Sequence, residues 1–355
     1  MNIRQATRGY ESWLRQQTRV VERDLRLKHL RMADSPFTFL RATYYRWAQL
    51  WPEICPKLVT APQVVAIGDL HVENFGTWRD AEGRLVWGVN DVDEADVLPW
   101  PQDLVRLAAS ALLAIEAEHF LLSARDACAA IAEGYCASLR RGGTPVVLSE
   151  RRGWLREIAL SDLRDPVVFW TQLQTWPDAD RRAPRALLRA ALPPGSSLER
   201  IVRRTAGLGS LGRPRFVALA SWGGGLVARE AKAWLPPATS QDRSSRRVLE
   251  TLLRDAVRVP DPFFVIREGW IVRRLAPDCT RIEVGQLPKR RDEAKLLRAM
   301  GWETANVHLG SARRRIPAHA LDRGARWLRR AASDMVDAIV DEWKAWTVTH
   351  ASRSR

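Results

Sequence analysis

The sequence has few lysines, histidines and cysteines. Six of its 56 basic residues are lysines, and there are six histidines. The four cysteines, Cys55, Cys128, Cys136 and Cys279, form no C-x-x-C pair and no Cys/His group at zinc spacing. They read as reduced, mostly buried thiols. No apolar run approaches the length of a membrane span. The opening stretch MNIRQATRGYESWLRQQ has no apolar core of a secretion signal. Cytoplasm is the expected compartment.

Arginine, in contrast, is spread over the whole chain, and the net charge is +15. Such a charge favours anionic partners: nucleotides, phosphorylated substrates, nucleic acid or a membrane surface. Because the arginines are not gathered into one arm, charge alone does not choose among these. A length of 355 residues with 46% hydrophobic and 27% charged residues fits a globular protein of one large domain or two lobes.

The densest chemistry lies between Val64 and Asp103. An apolar run, Val64 to Ile67, leads into Asp69, His71, Glu73 and Asn74. A turn at Asp80-Ala81-Glu82-Gly83 and a second apolar run, Leu85 to Val89, lead into Asn90, Asp91, Asp93, Glu94 and Asp96. This pattern predicts a strand, a polar loop, a short hairpin and a second polar loop, with Asp69, Asn74 and Asp91 brought close at two strand ends. Crowded carboxylates need a cation, a shared proton or a positive partner. Hard oxygen donors of this kind suit magnesium, which takes one or two carboxylates plus substrate phosphates.

D-x-x-x-x-N, here Asp69 to Asn74, is the catalytic-loop spacing of protein-kinase-like enzymes, and Asp91 stands where those enzymes keep a magnesium aspartate. GDLHVEN followed by VNDVDEAD and PQDLVRL resembles the aminoglycoside and choline kinase branch. That resemblance implies Asp69 as base or orienting group, and Asn74 and Asp91 as metal ligands with Asp93 a further one. His71 would orient Asp69, touch phosphate or bond a loop carbonyl. Asp103, at the start of an apolar helix, is a candidate support for the catalytic loop. A single D-x-x-x-x-N is also common in ordinary Asp- and Asn-rich turns.

The flanks read as helices: Tyr10 to Met32, a second helix opened by Ser35-Pro36, Gln102 to Leu122, and Ala124 to Leu139 closed by Gly142-Gly143. Arg41 could reach phosphate from the helix opened by Ser35-Pro36, but an exposed or capping residue is the preferred reading. Residues 146–197 read as helical but broken by prolines, a flexible or substrate-side insertion. Gly207, Gly209 and Gly212 form G-x-G-x-x-G, with Ser210 inside it. A β-like run follows rather than an amphipathic helix, so the motif is expected to cover nucleotide phosphates from a hairpin. Lys232 is expected on the third strand of a five-stranded lobe, reaching those phosphates. Glu250 is its expected ion-pair partner, ahead of Asp255, and Ala276-Pro277 its hinge. Helices over Pro288 to Ser311 and Pro317 to Thr349 follow, with Trp327, Trp343 and Trp346 as core, Arg313 to Arg315 as a solvated turn, and no role for His308 or His319.

These motifs come in the reverse of kinase order, which points to a circular permutation. The expected fold is α+β, a two-lobed, permuted protein-kinase-like fold. Residues 1–197 would carry the catalytic and metal loops, 198–277 the nucleotide-binding strands, and 278–355 helices returning to the catalytic part. RMADSPFTFLR, GDLHVENFG, VNDVDEAD, GLGSLG, AREAKAW, WIVRRLAP and MGWETANVHLG together resemble the bacterial domain-of-unknown-function family 2252 over nearly the whole chain. Val92 departs from the aromatic residue usual between the two aspartates and leaves the carboxylates intact. The family name implies a shared architecture and no reaction.

The expected function is therefore an ATP- and magnesium-dependent phosphotransferase, or a nucleotidyltransferase using the same site, acting on an unknown hydroxyl-bearing acceptor. Two alternatives stand beside it. One is a metal-dependent phosphoesterase, since Gly68-Asp69-Leu70-His71 resembles its opening D-x-H. The other is a basic binding protein or pseudokinase, for which nucleic acid is the less favoured partner.

Overall fold

The computed structural model describes residues 1–149, 152–161, 165–241, 244–279, 281, 293–312, 316 and 324–351. It is a mixed α+β protein with three antiparallel sheets. The expected Arg313 to Arg315 turn, His319 and the starts of both late helices lie outside the described residues.

The first segment forms two helices, Ile3–Gln17 and Glu22–Met32, rather than one. The break falls at Thr18, Val20 and Val21, where branched side chains disfavour helix and Thr18 is fully extended. Pro36–Ala42 and Tyr44–Ile54 are likewise separate, with Thr43 between them. Its hydroxyl donates to the Phe39 carbonyl at 2.7 Å, a local bond that competes with helix continuation.

Strands β1 (Gln63–Ala66), β2 (Phe75–Arg79), β3 (Leu85–Val89) and β4 (Asp96–Pro99) come next. β2 and β3 form the expected hairpin, extended by β5 (Val146–Val147). The sequence reading overlooked β4, which pairs antiparallel with β1. Its four residues follow an acidic loop and end at a proline, so they carry almost no strand pattern of their own.

The five-stranded sheet runs in the order β6 (Ser197–Arg203), β7 (Arg215–Trp222), β8 (Gly225–Ala233), β10 (Trp270–Leu275), β9 (Val265–Arg267). The helix Ser245–Asp255 links β8 to β9. Residues 146–197 are not a loose insertion. Phe169 and Leu173 pack on one face of this sheet with Val202, Val217 and Leu219, while Leu187 and Leu188 pack on the other with Ile201, Phe216 and Ala218. Period-2 alternation on β6 and β7 thus gives the sheet two buried faces, one covered by the helix Pro166–Gln174 and the other by the helix Arg185–Ala191.

The helical core centres on Pro101–Glu116, which is buried from Pro101 to Ala114. Beside it, Ala124–Arg141 and Glu293–Ala312 cross with reciprocal glycine contacts. A Cβ on Gly134 would run into the Arg298 carbonyl, and one on Gly301 into the Ile131 carbonyl. Alanine normally gains about 1 kcal/mol over glycine inside a helix. Here the sign reverses, because backbone must move to admit the methyl group. Gly134→Ala and Gly301→Ala are each expected to destabilise by about 1–3 kcal/mol, read from the midpoint of urea unfolding.

Candidate functional site

The chain leaves β1 as an irregular loop, and irregular buried backbone needs side-chain partners. Asp103 supplies two. Its Oδ2 accepts from the Ile67 N–H at 2.7 Å and its Oδ1 from the Gly68 N–H at 2.9 Å. His308 Nε2 donates to Asp103 Oδ2 at 3.0 Å, which leaves Nδ1 bare to accept from the Tyr135 hydroxyl at 2.8 Å. Asp103 and His308 are wholly buried. His308, given no role from the sequence, orients the carboxylate that shapes the loop.

Asn74 joins this loop to the next. Its Nδ2 donates to the carbonyls of Asp69 at 3.0 Å and Asp91 at 2.9 Å, and its Oδ1 accepts from the Asp91 N–H at 2.9 Å. The side chain expected to ligate metal is therefore a staple between the two acidic loops.

Asp69 is held on one oxygen. Arg106 reaches Oδ1 through Nε at 3.0 Å and also through Nη2. Arg106 is wholly buried, with its guanidinium 4.9 Å from the ring centres of both Tyr44 and Trp47. The other oxygen, Oδ2, lies against the glycine segment. A Cβ on Gly209 would sit 3.2 Å from it and 3.1 Å from the Arg41 carbonyl, a closeness that suits glycine. Burial raises the proton affinity of Asp69 from its ordinary value, against the pull of Arg106.

Lys232 projects from β8 and meets the second acidic loop. Its Nζ is 2.6 Å from Asp93 Oδ2 and 3.5 Å from Asp91 Oδ2. Arg213 donates to Asp93 Oδ2 at 2.9 Å and to Glu94 Oε1 at 2.5 Å. The Asp93 side chain is 8% exposed and meets both cations through Oδ2, whereas that of Asp91 is 43% exposed. Burial and the Asp91 charge push Asp93 up to about 7, against Lys232 and Arg213. For Asp91 burial acts in the same direction, but Lys232, a hydrogen bond with Asp93 and Arg273 hold it well below its ordinary value. Asp91 is thus the more reachable carboxylate of the pair.

The glycine segment closes the site. Gly207 precedes a short turn, Leu208–Ser210, and the Ser210 hydroxyl donates to the Gly207 carbonyl at 3.1 Å while accepting from Arg215 Nη2 at 2.9 Å. Lys28 Nζ donates to the Gly209 carbonyl at 2.9 Å. Gly212 turns the chain toward Leu25. Asp69, His71, Asn74, Asp91, Asp93, Gly207, Gly209, Ser210 and Lys232 all line one cavity of about 630 Å³ including its mouth; Gly212 does not. A second cleft of about 840 Å³ shares Asp91, Gly207 and Arg281 with it, and is lined further in by Trp78, Phe169, Arg215, Arg273 and the expected hinge residue Ala276.

Glu250 takes no part. It accepts from Arg246 on the exposed side of its helix at 2.8 Å, and Asp255 pairs with Arg254. Lys232 pairs with Asp91 and Asp93 instead, because β8 aims it at the acidic loop rather than at the helix Ser245–Asp255. His71 is 8% exposed, and its Nδ1 has no hydrogen-bond partner. Burial, then Arg41, Arg106 and Arg281, lower its pKa well below the ordinary value, so the ring is neutral at physiological pH. Arg41, expected to be exposed, forms an ion pair with Glu73 at 2.6 Å in the cavity wall. Lys28, Arg106, Arg213 and Tyr44 were missed. A charged residue inside the otherwise apolar run at 104–115 was the one available signal for Arg106.

The residues present suit a hard cation only in part. Asp91 is the available donor, and further oxygens would have to come from a ligand. Among the described residues no group of three or more His, Cys, Asp or Glu side chains is arranged to hold a metal alone. No described helix is long and apolar enough to cross a membrane.

Residues 19–166 match the family model described as "Uncharacterized protein conserved in bacteria (DUF2252)". The resemblance to that family holds over this span. It includes both acidic loops, Lys28, Asp103 and Arg106, and stops before the five-stranded sheet. No curated protein and no solved structure gives a significant match.

Glu230, two residues before Lys232, anchors the strand behind the site. It binds Arg204, Arg215 at 3.1 Å and Arg273 at 3.7 Å, and is 1% exposed. Burial opposes its ionisation, but Arg204, Arg215 and Arg273 hold its pKa far below the ordinary 4.5. A carboxylate depressed on folding stabilises above its unfolded pKa, and that contribution is lost as pH falls. Glu230→Gln is expected to destabilise by about 3–5 kcal/mol near neutrality. The gap to the unmutated chain should narrow in urea melts as pH drops below 4.5.

Proposed function

We propose that this chain is an ATP- and magnesium-dependent phosphotransferase with a permuted, two-lobed kinase-like organisation. The observation that carries the reading is the convergence on one cavity of Lys232, the Asp91/Asp93 loop, Asp69 and the G-x-G-x-x-G segment. These pieces come from two stretches far apart in the sequence. The three-stranded meander β6–β7–β8, the helix after it and the β9–β10 hairpin leading to Ala276 support the same plan.

In this reading the nucleotide base occupies the second cleft beside Ala276, and its phosphates reach the junction at Asp91 and Gly207. Lys232 neutralises charge on the transferred group and on the departing diphosphate. Asp91 would hold magnesium, which would supply further neutralisation of the phosphate charge. Arg106 fixes Asp69 by one oxygen, so the other is left to accept the acceptor hydroxyl's proton. The freed oxygen then attacks the terminal phosphorus, the bond from that phosphorus to the bridging oxygen breaks, and the diphosphate leaves with the electron pair. The raised proton affinity of Asp69 suits a general base. His71, neutral, serves as a hydrogen-bonding wall and not as a cationic clamp.

A thermal-shift series of nucleoside triphosphates with magnesium is the direct test, since a ligand of the folded form raises the midpoint. ATP with magnesium is expected to raise it, and Lys232→Met to abolish most of the rise. Asp69→Asn should retain the rise while slowing phosphate release from ATP to water by about 100-fold or more. No rise with any nucleoside triphosphate, or full turnover by Asp69→Asn, would overturn the proposal.

A further inference from the structure

Resting on the phosphotransfer reading, we propose that the inner chamber takes an acceptor bearing its own anionic group, a phosphate or a carboxylate, which Lys28 and Arg41 bind. Lys28 is 3% exposed and comes from the helix Glu22–Met32, outside the motif-bearing loops. A buried ammonium ordinarily needs a carboxylate partner. Arg41, Arg213 and Lys232 on the chamber walls, and Arg106 behind them, each have one: Arg41 with Glu73, Arg106 with Asp69, Arg213 with Asp93 and Glu94, Lys232 with Asp93. Lys28 forms no such ion pair among the described residues. Its Nζ donates to the Gly209 carbonyl at 2.9 Å and lies 5.4 and 5.6 Å from the ring centres of Tyr10 and Tyr45. An ammonium has three donors, and one of them is used.

The chamber walls carry the same unfilled demand. Arg41 Nε and Arg213 Nε, both of residues that line the cavity, are buried N–H groups without acceptors, and the Tyr44 hydroxyl is buried without a partner. The two guanidinium groups can only donate. A ligand rich in acceptor oxygens matches that set, whereas a neutral polyol would leave the Lys28 charge uncompensated. Burial lowers the Lys28 pKa to about 8, so the group is still largely a cation at neutral pH. Lys28 and Lys232 both line this cavity and neither lines the second cleft, but Lys232 contacts Asp91, which the two cavities share, whereas Lys28 contacts Gly209.

The test uses the full chain without nucleotide, with glycerol 3-phosphate, glycerate and glycerol as probes in thermal-shift and calorimetric titrations. Glycerol 3-phosphate or glycerate is expected to raise the midpoint and glycerol to leave it unchanged; the larger rise identifies phosphate or carboxylate as the group recognised. Lys28→Met is expected to weaken binding of the charged probe about tenfold or more, and Lys28→Arg to retain it. Should Lys28→Met fail to fold, the paired change Arg41→Gln with Glu73→Gln, which removes both partners of that ion pair together, is expected to weaken the charged probe likewise. Equal effects of all three probes, no effect of any, or charged-probe binding that survives the substitution would overturn the inference. The magnesium–ATP shift of the unmutated chain is read separately, so loss of the acceptor inference and loss of the phosphotransfer reading give different results. A Lys28 that only straps the glycine segment would not distinguish charged from neutral probes.

Discussion

Two side chains with no reactive duty hold the acidic loops in shape. Asp103 accepts the backbone N–H groups of Ile67 and Gly68, and Asn74 bonds to three backbone groups across Asp69 and Asp91. Neither loop has a ladder or helix to satisfy its peptide groups, so without these bonds the buried backbone would be left unpaired. The relay from Tyr135 through His308 to Asp103 extends the constraint into the helical core. The geometry of Asp69 and Asp91 is therefore set by side chains already committed to the backbone of the two loops.

A second theme is the division of labour between arginine and lysine. Arginines fill the buried pairs at Asp69, Glu94 and Glu230, where a planar, weakly hydrated, multi-donor group satisfies several acceptors. The two lysines at the cavity, Lys28 and Lys232, are compact point charges instead.

The sequence showed most clearly what depends on local pattern. The β2–β3 hairpin, the meander with Lys232 on its third strand, and the cap at Gly142 followed from alternation, turn residues and glycine. It was silent where the partner lies far along the chain. Lys28 meets Gly209 across 181 positions and Arg213 meets Asp93 across 120, and no periodicity encodes such meetings. Glu250 illustrates the reverse error: a carboxylate in a helix near the lysine in sequence proved to face solvent, because the strand's pleat and not proximity decides where Lys232 points. Asn74 was recognised by spacing, yet its hydrogen bonds give it a different task.

Most of the ties between the sheet segment and the helical part around the cavity are polar: Lys28 to Gly209, Arg213 to Asp93 and Glu94, Lys232 to Asp93, and Glu94 to the Ala238 N–H. Apolar surfaces can slide by small steps, but charges such as these must be rehydrated together when they part. Separating the sheet from the helical part at the cavity would therefore require several ions to be rehydrated at once.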